Sequence, residues 1–104
     1  MDQPVIYNVT TAVMPAIEGQ WLTWMQDIHI PEVLGTGCFF RHQLVKLVDT
    51  GDQEHATYAV QYYAHEKRLY EEYISNYAPG LRKEVKDKWG EMAMSFSTLM
   101  VVVA

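Results

Sequence analysis

The sequence predicts an α+β domain built on one four-stranded sheet, because its hydrophobic periodicity changes in the order strand, helix, strand, strand, helix, strand. Several of the strand-like segments carry apolar side chains on both faces. A lone sheet with helices on one side would leave its second face in water, and large apolar patches are rarely left uncovered. We therefore expect a homodimer in which a second copy of the chain covers that face.

The first two elements are a strand and an amphipathic helix. Val5 to Val13 is rich in β-branched and aromatic residues and alternates along its length, which predicts a strand. A stripe of apolar residues at helical spacing follows: Ile17, Trp21, Trp24, Met25 and Ile28. Pro15 suits the first turn of this helix. We expect the helix to end near His29, because a residue that precedes proline, here before Pro31, is pushed out of the α region.

The next two elements are the strands of a hairpin. Cys38 to Val48 is strand-like, and so is His55 to Tyr63. Between them, Asp49 to Asp52 has the composition of a turn.

A second helical region and a last strand complete the chain. Glu66 to Tyr77 predicts a helix, and Pro79 restarts a shorter one that ends near Gly90. Three tyrosines share one face of the first of these helices, at a spacing that indicates core packing rather than an aromatic cage: Tyr70, Tyr73 and Tyr77. Met92 to Val103 alternates and predicts the final strand.

The order βαββαβ is that of the ferredoxin-like, or split βαβ, arrangement, with a four-stranded antiparallel sheet and both helices on one face. Residues 1–104 suit one such domain, since a chain of this length supports one core. Alternation assigns an apolar face to the helices: Tyr7, Val9, Tyr58, Val60, Tyr62, Phe96 and Met100. The opposite face mixes two kinds of residue. Its polar members are Asn8, Thr10, Arg41, Gln43, Thr57, Gln61, Ser95 and Ser97, and its apolar members are Ile6, Ala59, Leu99 and Val101. It either faces solvent or lines a lumen between two sheets packed face to face, and its apolar members favour the lumen.

Composition disfavours several classes of partner. Eight basic residues against 13 acidic ones give a net charge of -5, which would repel a nucleic acid. Met1 to Pro4 lacks the basic region of a secretory leader, and the apolar run Leu99 to Ala104 is far shorter than the roughly 20 residues that span a bilayer. The single cysteine, Cys38, excludes an internal disulfide. We expect a cytoplasmic protein without nucleic-acid or membrane partners.

Several stretches carry a family resemblance that spans nearly the whole chain: Ile6 to Thr10, Trp21 to Met25, His29 to Leu34, Tyr58 to Tyr62 and Tyr77 to Arg82. In these stretches the sequence resembles a bacterial family of unknown function in the dimeric α+β-barrel, ferredoxin-like superfamily. The resemblance implies the fold and a dimer. Related branches include cofactor-independent monooxygenases acting on polycyclic phenols, haem-degrading enzymes, isomerases and ligand-sensing domains, so no single reaction follows from it.

His29 is the candidate for proton transfer, because a histidine beside a proline break could reach a cavity and its ordinary pKa lies near neutrality. The competing interpretation is a helix-end residue favoured by the helix dipole. Glu32 lies three positions later, but we expect Pro31 to interrupt the helix between them, which weakens a two-ligand metal site. No metal-binding motif is present in the sequence, and we expect neither a metal nor a cofactor.

Asn8, Thr10, Arg41 and Gln61 are the candidate ligand-binding residues. Asn8 and Thr10 lie in mid-strand, where buried polar groups need partners, and could orient a ligand in a lumen. Arg41, like Arg82, could bind a carboxylate through its forked donors, although a solvated arginine is the ordinary case. The haem-degrading branch uses Asn, Trp and His together, and here only the Asn has a clear counterpart, which disfavours haem.

We therefore expect a small-molecule-binding protein, with a site between helix one and the sheet face, that resembles a metal-free monooxygenase or isomerase. The alternative is a non-catalytic dimeric module with a sensory or assembly role. An open cavity with convergent polar atoms would favour the enzyme, and a lumen filled with apolar side chains would favour the module.

Overall fold

The computed structural model describes residues 3–104, so the first two residues of the predicted domain lie outside it, as does that part of the Met1 to Pro4 segment. Four strands form one antiparallel sheet in the order β2-β3-β1-β4. Their bounds are β1 Val5–Val13, β2 Arg41–Lys46, β3 Ala56–Ala64 and β4 Ala93–Val101. The helices are α1 Glu18–Trp24, α2 Ile30–Leu34, α3 Lys67–Asn76 and α4 Ala78–Trp89. This is the predicted ferredoxin-like fold, with the helices on one face of the sheet.

The first helical region runs further than predicted. A five-residue π-helical segment, Met25–His29, joins α1 to α2, and its Ile30 N–H donates to the Met25 carbonyl. His29 and Ile30 both keep helical dihedrals, so the predicted end near His29 is wrong. Proline in a regular helix clashes with the carbonyl four residues earlier, and the wider π turn before Pro31 offers room for its ring. The helical region therefore continues through Leu34.

The core lies between the helices and the two central strands, β1 and β3. Its largest fully buried side chains are Trp21, Tyr62, Val5, Val13, Val33 and Val60. Trp21 packs on Tyr58 with ring centroids 5.2 Å apart. The Tyr58 hydroxyl donates to the Glu18 carboxylate at 2.5 Å, and Lys46 pairs with the same carboxylate at 3.2 Å. These contacts fix the beginning of α1 against β3 and β2.

The strand register corrects the predicted faces of β4. Thr10 stands opposite Phe96, and Ile6 stands opposite Met100. Directly opposed residues of antiparallel strands point to the same side of the sheet. Phe96 and Met100 therefore lie on the sheet face away from the helices, whereas we predicted them beneath the helices. The helix-side residues of β4 are Ala93, Ser95, Ser97, Leu99 and Val101.

The hairpin strand β2 is shorter than predicted. It begins at Arg41 rather than Cys38, and it ends at Lys46. Cys38 and Phe39 precede it and are buried in the core. Their apolar side chains pack in the core, and the two residues are not part of the strand.

No helix within residues 3–104 has both the length and the apolar character needed to cross a lipid bilayer.

Gly90 ends α4 with φ 56° and ψ -132°, a conformation that a side chain disfavours. We predict that Gly90→Ala lowers the free energy of unfolding by about 1–3 kcal/mol, because a Cβ there meets no atom within 4 Å and the cost is backbone strain alone. Gly19 in α1 is equally open, but its backbone is not left-handed. Gly19→Ala should therefore stabilise the protein by about 0.4–1 kcal/mol. Urea unfolding of both variants measures the contrast, and equal effects would contradict it.

Candidate functional site

A cleft of about 650 Å³ lies between the helices and the part of the sheet formed by β1, β3 and β4. This volume falls within the range of about 300–1,000 Å³ that small-molecule sites occupy. Apolar side chains form much of its wall: Val9, Met25, Val60, Leu81 and Val85. Ser95 and Ser97 line it along the middle of β4, where both are exposed. The cleft is thus open on the β4 side and closed over β3.

Tyrosines supply the polar atoms at the bottom of the cleft. Tyr7, Tyr62 and Tyr73 line it, and each is at least 96% buried. Their rings pack together, with centroids 6.0 Å apart for Tyr7 and Tyr62 and 5.6 Å apart for Tyr7 and Tyr73. Burial raises the pKa of both Tyr62 and Tyr73. These hydroxyls therefore stay protonated at neutral pH and can donate hydrogen bonds.

The Tyr62 hydroxyl is a buried group that has no hydrogen-bond partner among residues 3–104. A buried hydroxyl left in this state costs roughly 1–3 kcal/mol. Buried polar groups in folded proteins are usually paired, and the exceptions gather at ligand sites. Tyr62 thus offers an unused donor and acceptor at the cleft.

Arg82 reaches the cleft from α4. Its guanidinium donates a hydrogen bond of 3.1 Å to the Tyr7 hydroxyl, and this bond raises the pKa of Arg82. The arginine is therefore charged and held against the tyrosines by one of its five donors. The remaining donors are free to contact an oxygen of a bound molecule.

His29 lies in the π-helical segment and lines the same cleft. Its ring stacks on Trp24 at a centroid distance of 5.1 Å, and Trp24 in turn packs edge-on against Trp89 at 5.9 Å. Burial lowers the pKa of His29, although the charge of Glu84 acts in the opposite direction. The imidazole is therefore neutral at pH 7 and able to accept a proton. Its Nδ1 is buried and has no partner within residues 3–104.

The continuous helix changes the relation of His29 to Glu32, because the two residues now lie three apart on one helical region. Glu32 also lies near Glu84 of α4, and its pKa is raised by burial and by the Glu84 charge. In the part of the chain that the structure describes, no three His, Cys, Asp or Glu side chains come close enough together to hold a metal ion. The predicted absence of a metal stays a prediction.

The four predicted ligand-binding residues lie on the other side of the sheet. Asn8 stands opposite Gln61 in the register, and the Asn8 amide donates to the Thr10 hydroxyl at 3.0 Å. The Arg41 guanidinium lies 4.7 Å from the centroid of the Tyr63 ring. The structure therefore brings these residues together on the open face and does not bring His29 to them. Their roles in ligand binding stay predictions.

Tyr7, Tyr62 and Tyr73 were not among the predicted site residues, and Arg82 was noted only as an arginine that could bind a carboxylate. The tyrosines have the alternation and spacing of core residues, and that assignment holds for their rings. The signal for Arg82 was its place beside the apolar stripe of α4, which is Ala78, Leu81, Val85 and Trp89. A basic residue at the edge of such a stripe stays close to the core.

The sheet order, the helices on one face and the cleft between them define a ferredoxin-like α+β domain. More specifically, residues 4–103 match the model of DUF4286, a domain of unknown function, and the chain belongs to this family. The family resemblance predicted from the sequence is thereby confirmed. Among curated proteins, none matches the chain.

Solved structures share the fold at low sequence identity. SnoaB from Streptomyces nogalater, a cofactor-independent oxygenase, has a TM-score of 0.64 and 15% identity over 100% of this chain and 96% of its own. A candidate monooxygenase from Shewanella loihica PV-4 has a TM-score of 0.62 and 14% identity, over 100% and 98% of the two chains. A dimeric ferredoxin-like protein from an uncultured marine organism has a TM-score of 0.58 and 13% identity, over 98% of each chain. At identities this low, the structural similarity shows a common fold alone.

The buried imidazole gives the protein a pH-dependent stability. The pKa of His29 is lowered in the folded state, so the unfolded chain binds more protons as the pH falls below about 6.5. Folding stability from this group is therefore complete above that pH and declines below it. We predict that the free energy of unfolding falls between pH 7.5 and pH 5.5, and that His29→Gln reduces this fall. Urea unfolding at the two pH values measures it, and an equal fall in both proteins would contradict the prediction.

Proposed function

We propose that the cleft between the helices and the sheet binds a small organic molecule, and that the protein acts on this molecule as a metal-free oxygenase or isomerase. The observation that carries the proposal is a pair of buried polar atoms without a partner within residues 3–104, His29 Nδ1 and Tyr62 Oη, on residues that line a cleft with largely apolar walls. Apolar walls with a few convergent polar groups are typical of ligand sites. The fold shared with a cofactor-independent oxygenase supports the oxygenase in particular.

In this proposal His29 is the general base. A neutral imidazole takes the proton of a phenolic substrate, and the resulting anion is rich enough in electrons to react with molecular oxygen. For 1-naphthol, one oxygen atom would form a new carbonyl on the ring, and the other would leave as water with the two hydrogens lost by the substrate. The product is 1,4-naphthoquinone, and the substrate supplies all the electrons. The hydroxyls of Tyr62 and Tyr73 would donate hydrogen bonds to the bound oxygen atoms.

We also propose that two copies associate through the open sheet face, in a cytoplasmic homodimer without nucleic-acid or membrane partners. Phe96 and Met94 lie on this face and are 65% and 62% exposed, which leaves a large apolar area in water. The fold shared with a dimeric ferredoxin-like protein supports the association of two copies. In the dimer, Asn8, Thr10 and Gln61 would line the space between the two sheets, where their polar groups could meet a ligand or each other.

Ligand binding can be tested with 1-naphthol as the probe. Ser97 lines the cleft and Ser75 lies exposed on α3, so Ser97→Trp fills the site while Ser75→Trp makes the same chemical change elsewhere. We predict that Ser97→Trp weakens 1-naphthol binding by at least about tenfold in isothermal titration, since the indole takes up space that the ligand needs. Ser75→Trp should bind as the unchanged protein does. Equal binding by both variants would place the ligand outside the cleft.

Turnover separates the enzyme from the non-catalytic sensory or assembly module. We predict oxygen uptake with 1-naphthol, and a loss of about 100-fold in kcat for His29→Gln, a typical contribution of a general base. An oxygen electrode with product analysis by absorbance measures both quantities. Binding of 1-naphthol without oxygen uptake would favour the non-catalytic module over the oxygenase. Oxygen uptake that is unchanged in His29→Gln would show that His29 takes no part in the reaction.

The dimer can be tested by sedimentation equilibrium. The monomer mass is 12.0 kDa, so a dimer should sediment at about 24 kDa. We predict that Phe96→Asp on the open face yields a monomer, because a charge at the interface would be buried without a partner. Ile28 is an exposed apolar residue on the helical side, and Ile28→Asp should stay dimeric. A folded monomer of unchanged sequence at high concentration would overturn this proposal.

A further inference from the structure

The net charge of the cleft lining is opposite in sign to the net charge of the whole protein. The chain has a net charge of -5, but the ionised side chains that line the cleft are Arg82, Lys86 and Glu91, while His29 is neutral. The lining therefore carries one net positive charge. A cationic recess in an acidic protein attracts anions that the rest of the surface repels.

Among the described residues, no carboxylate neutralises either of the two cations of the cleft. Within residues 3–104, neither Arg82 nor Lys86 forms an ion pair. Lys83, the next residue along α4, pairs with Asp87 at 2.6 Å on the outer side of the helix. Lys83 on the outer side of α4 is thus neutralised, whereas Arg82 and Lys86 at the cleft are not.

Arg82 is in addition held in place. Its hydrogen bond joins it to the hydroxyl of Tyr7, a residue that is 96% buried, and Tyr70 and Tyr73 lie near the same guanidinium. A held guanidinium loses less conformational entropy on binding than a freely moving one, and its fork matches the two oxygens of a carboxylate. A lysine in this position would offer a point charge without this geometry.

We propose that the ligand of the cleft is an apolar, ring-bearing carboxylate whose carboxylate group binds Arg82 and whose ring lies against Val9, Val60 and Val85. The apolar part removes the walls of the cleft from water, and the carboxylate neutralises the one held cation. This inference rests on the proposed function and narrows its substrate class from aromatic molecules in general to aromatic acids.

The test compares two probes that differ in charge and hardly in shape. 1-Naphthoate is an anion at pH 7, and 1-naphthamide is its neutral counterpart. We expect isothermal titration at low salt to show naphthoate binding at least about tenfold more tightly than naphthamide, the gain typical of a charge-assisted hydrogen bond over a neutral one. Raising the salt concentration should narrow the difference, since this arginine is accessible to solvent.

Two variants locate the effect. Arg82→Gln removes the charge but keeps a donor for the Tyr7 hydroxyl, and it should weaken naphthoate binding about tenfold while leaving naphthamide binding unchanged. Lys83→Gln removes the same charge from the outer side of the same helix, and it should change neither affinity by more than about twofold. Far-UV circular dichroism checks that both variants fold. Arg82→Lys should restore only part of the naphthoate affinity, because the bidentate fork is lost.

The outcomes separate this inference from the proposed function. If naphthoate and naphthamide bind equally, or if Arg82→Gln and Lys83→Gln weaken naphthoate equally, the carboxylate assignment is wrong while the cleft remains a ligand site. If neither probe binds and 1-naphthol does not bind either, both the proposed function and this inference are wrong.

Discussion

The structure depends on one constraint: the helices cover the two central strands of the sheet and leave the middle of β4 uncovered. Residues of β1 and β3 that face the helices are mostly buried, including Tyr7, Val60 and Tyr62, whereas Ser95 and Ser97 on the same side of β4 are exposed. The chain has two helical regions and four strands. The helical regions pack on the large aromatic residues of β1 and β3. The cleft is the space left over β4.

Tyrosines contribute both to the stability of the core and to the polar groups of the cleft. Tyr7, Tyr62 and Tyr73 bury large rings in the core, and each ring brings a hydroxyl with it. Arg82 satisfies the hydroxyl of Tyr7, but that of Tyr62 has no partner among the described residues. The fold thus tolerates a cost of roughly 1–3 kcal/mol at the bottom of an accessible cleft. A ligand oxygen that reaches Tyr62 would recover this free energy on binding.

The sequence was sufficient for the order of the elements and for the fold, because hydrophobic periodicity reports local structure directly. It was insufficient where two features compete. A proline such as Pro31 normally ends a helix, but the π turn before it lets the helix continue. No local sequence pattern predicted this π turn. In β4 both alternating sets contain apolar residues, so only the pairing of Thr10 with Phe96 decides which set faces the helices. Arg82 was noted for its chemistry, but its contact with Tyr7 spans 75 residues and needs the folded chain.

Strand β4 is where the two proposed surfaces meet. Successive residues of a strand point to opposite faces, so Ser95 and Ser97 lie on the helix side while Met94 and Phe96 belong to the open face, and all four border the cleft. As an edge strand, β4 has a neighbour on one side, β1, and Ser95 is tied to it by a hydrogen bond of 2.6 Å to Thr11. A partner seated against the open face would press on the same strand that forms one wall of the cleft. The association of two copies would therefore act on one wall of the cleft, and it would link the proposed dimer to the proposed ligand site through a single strand.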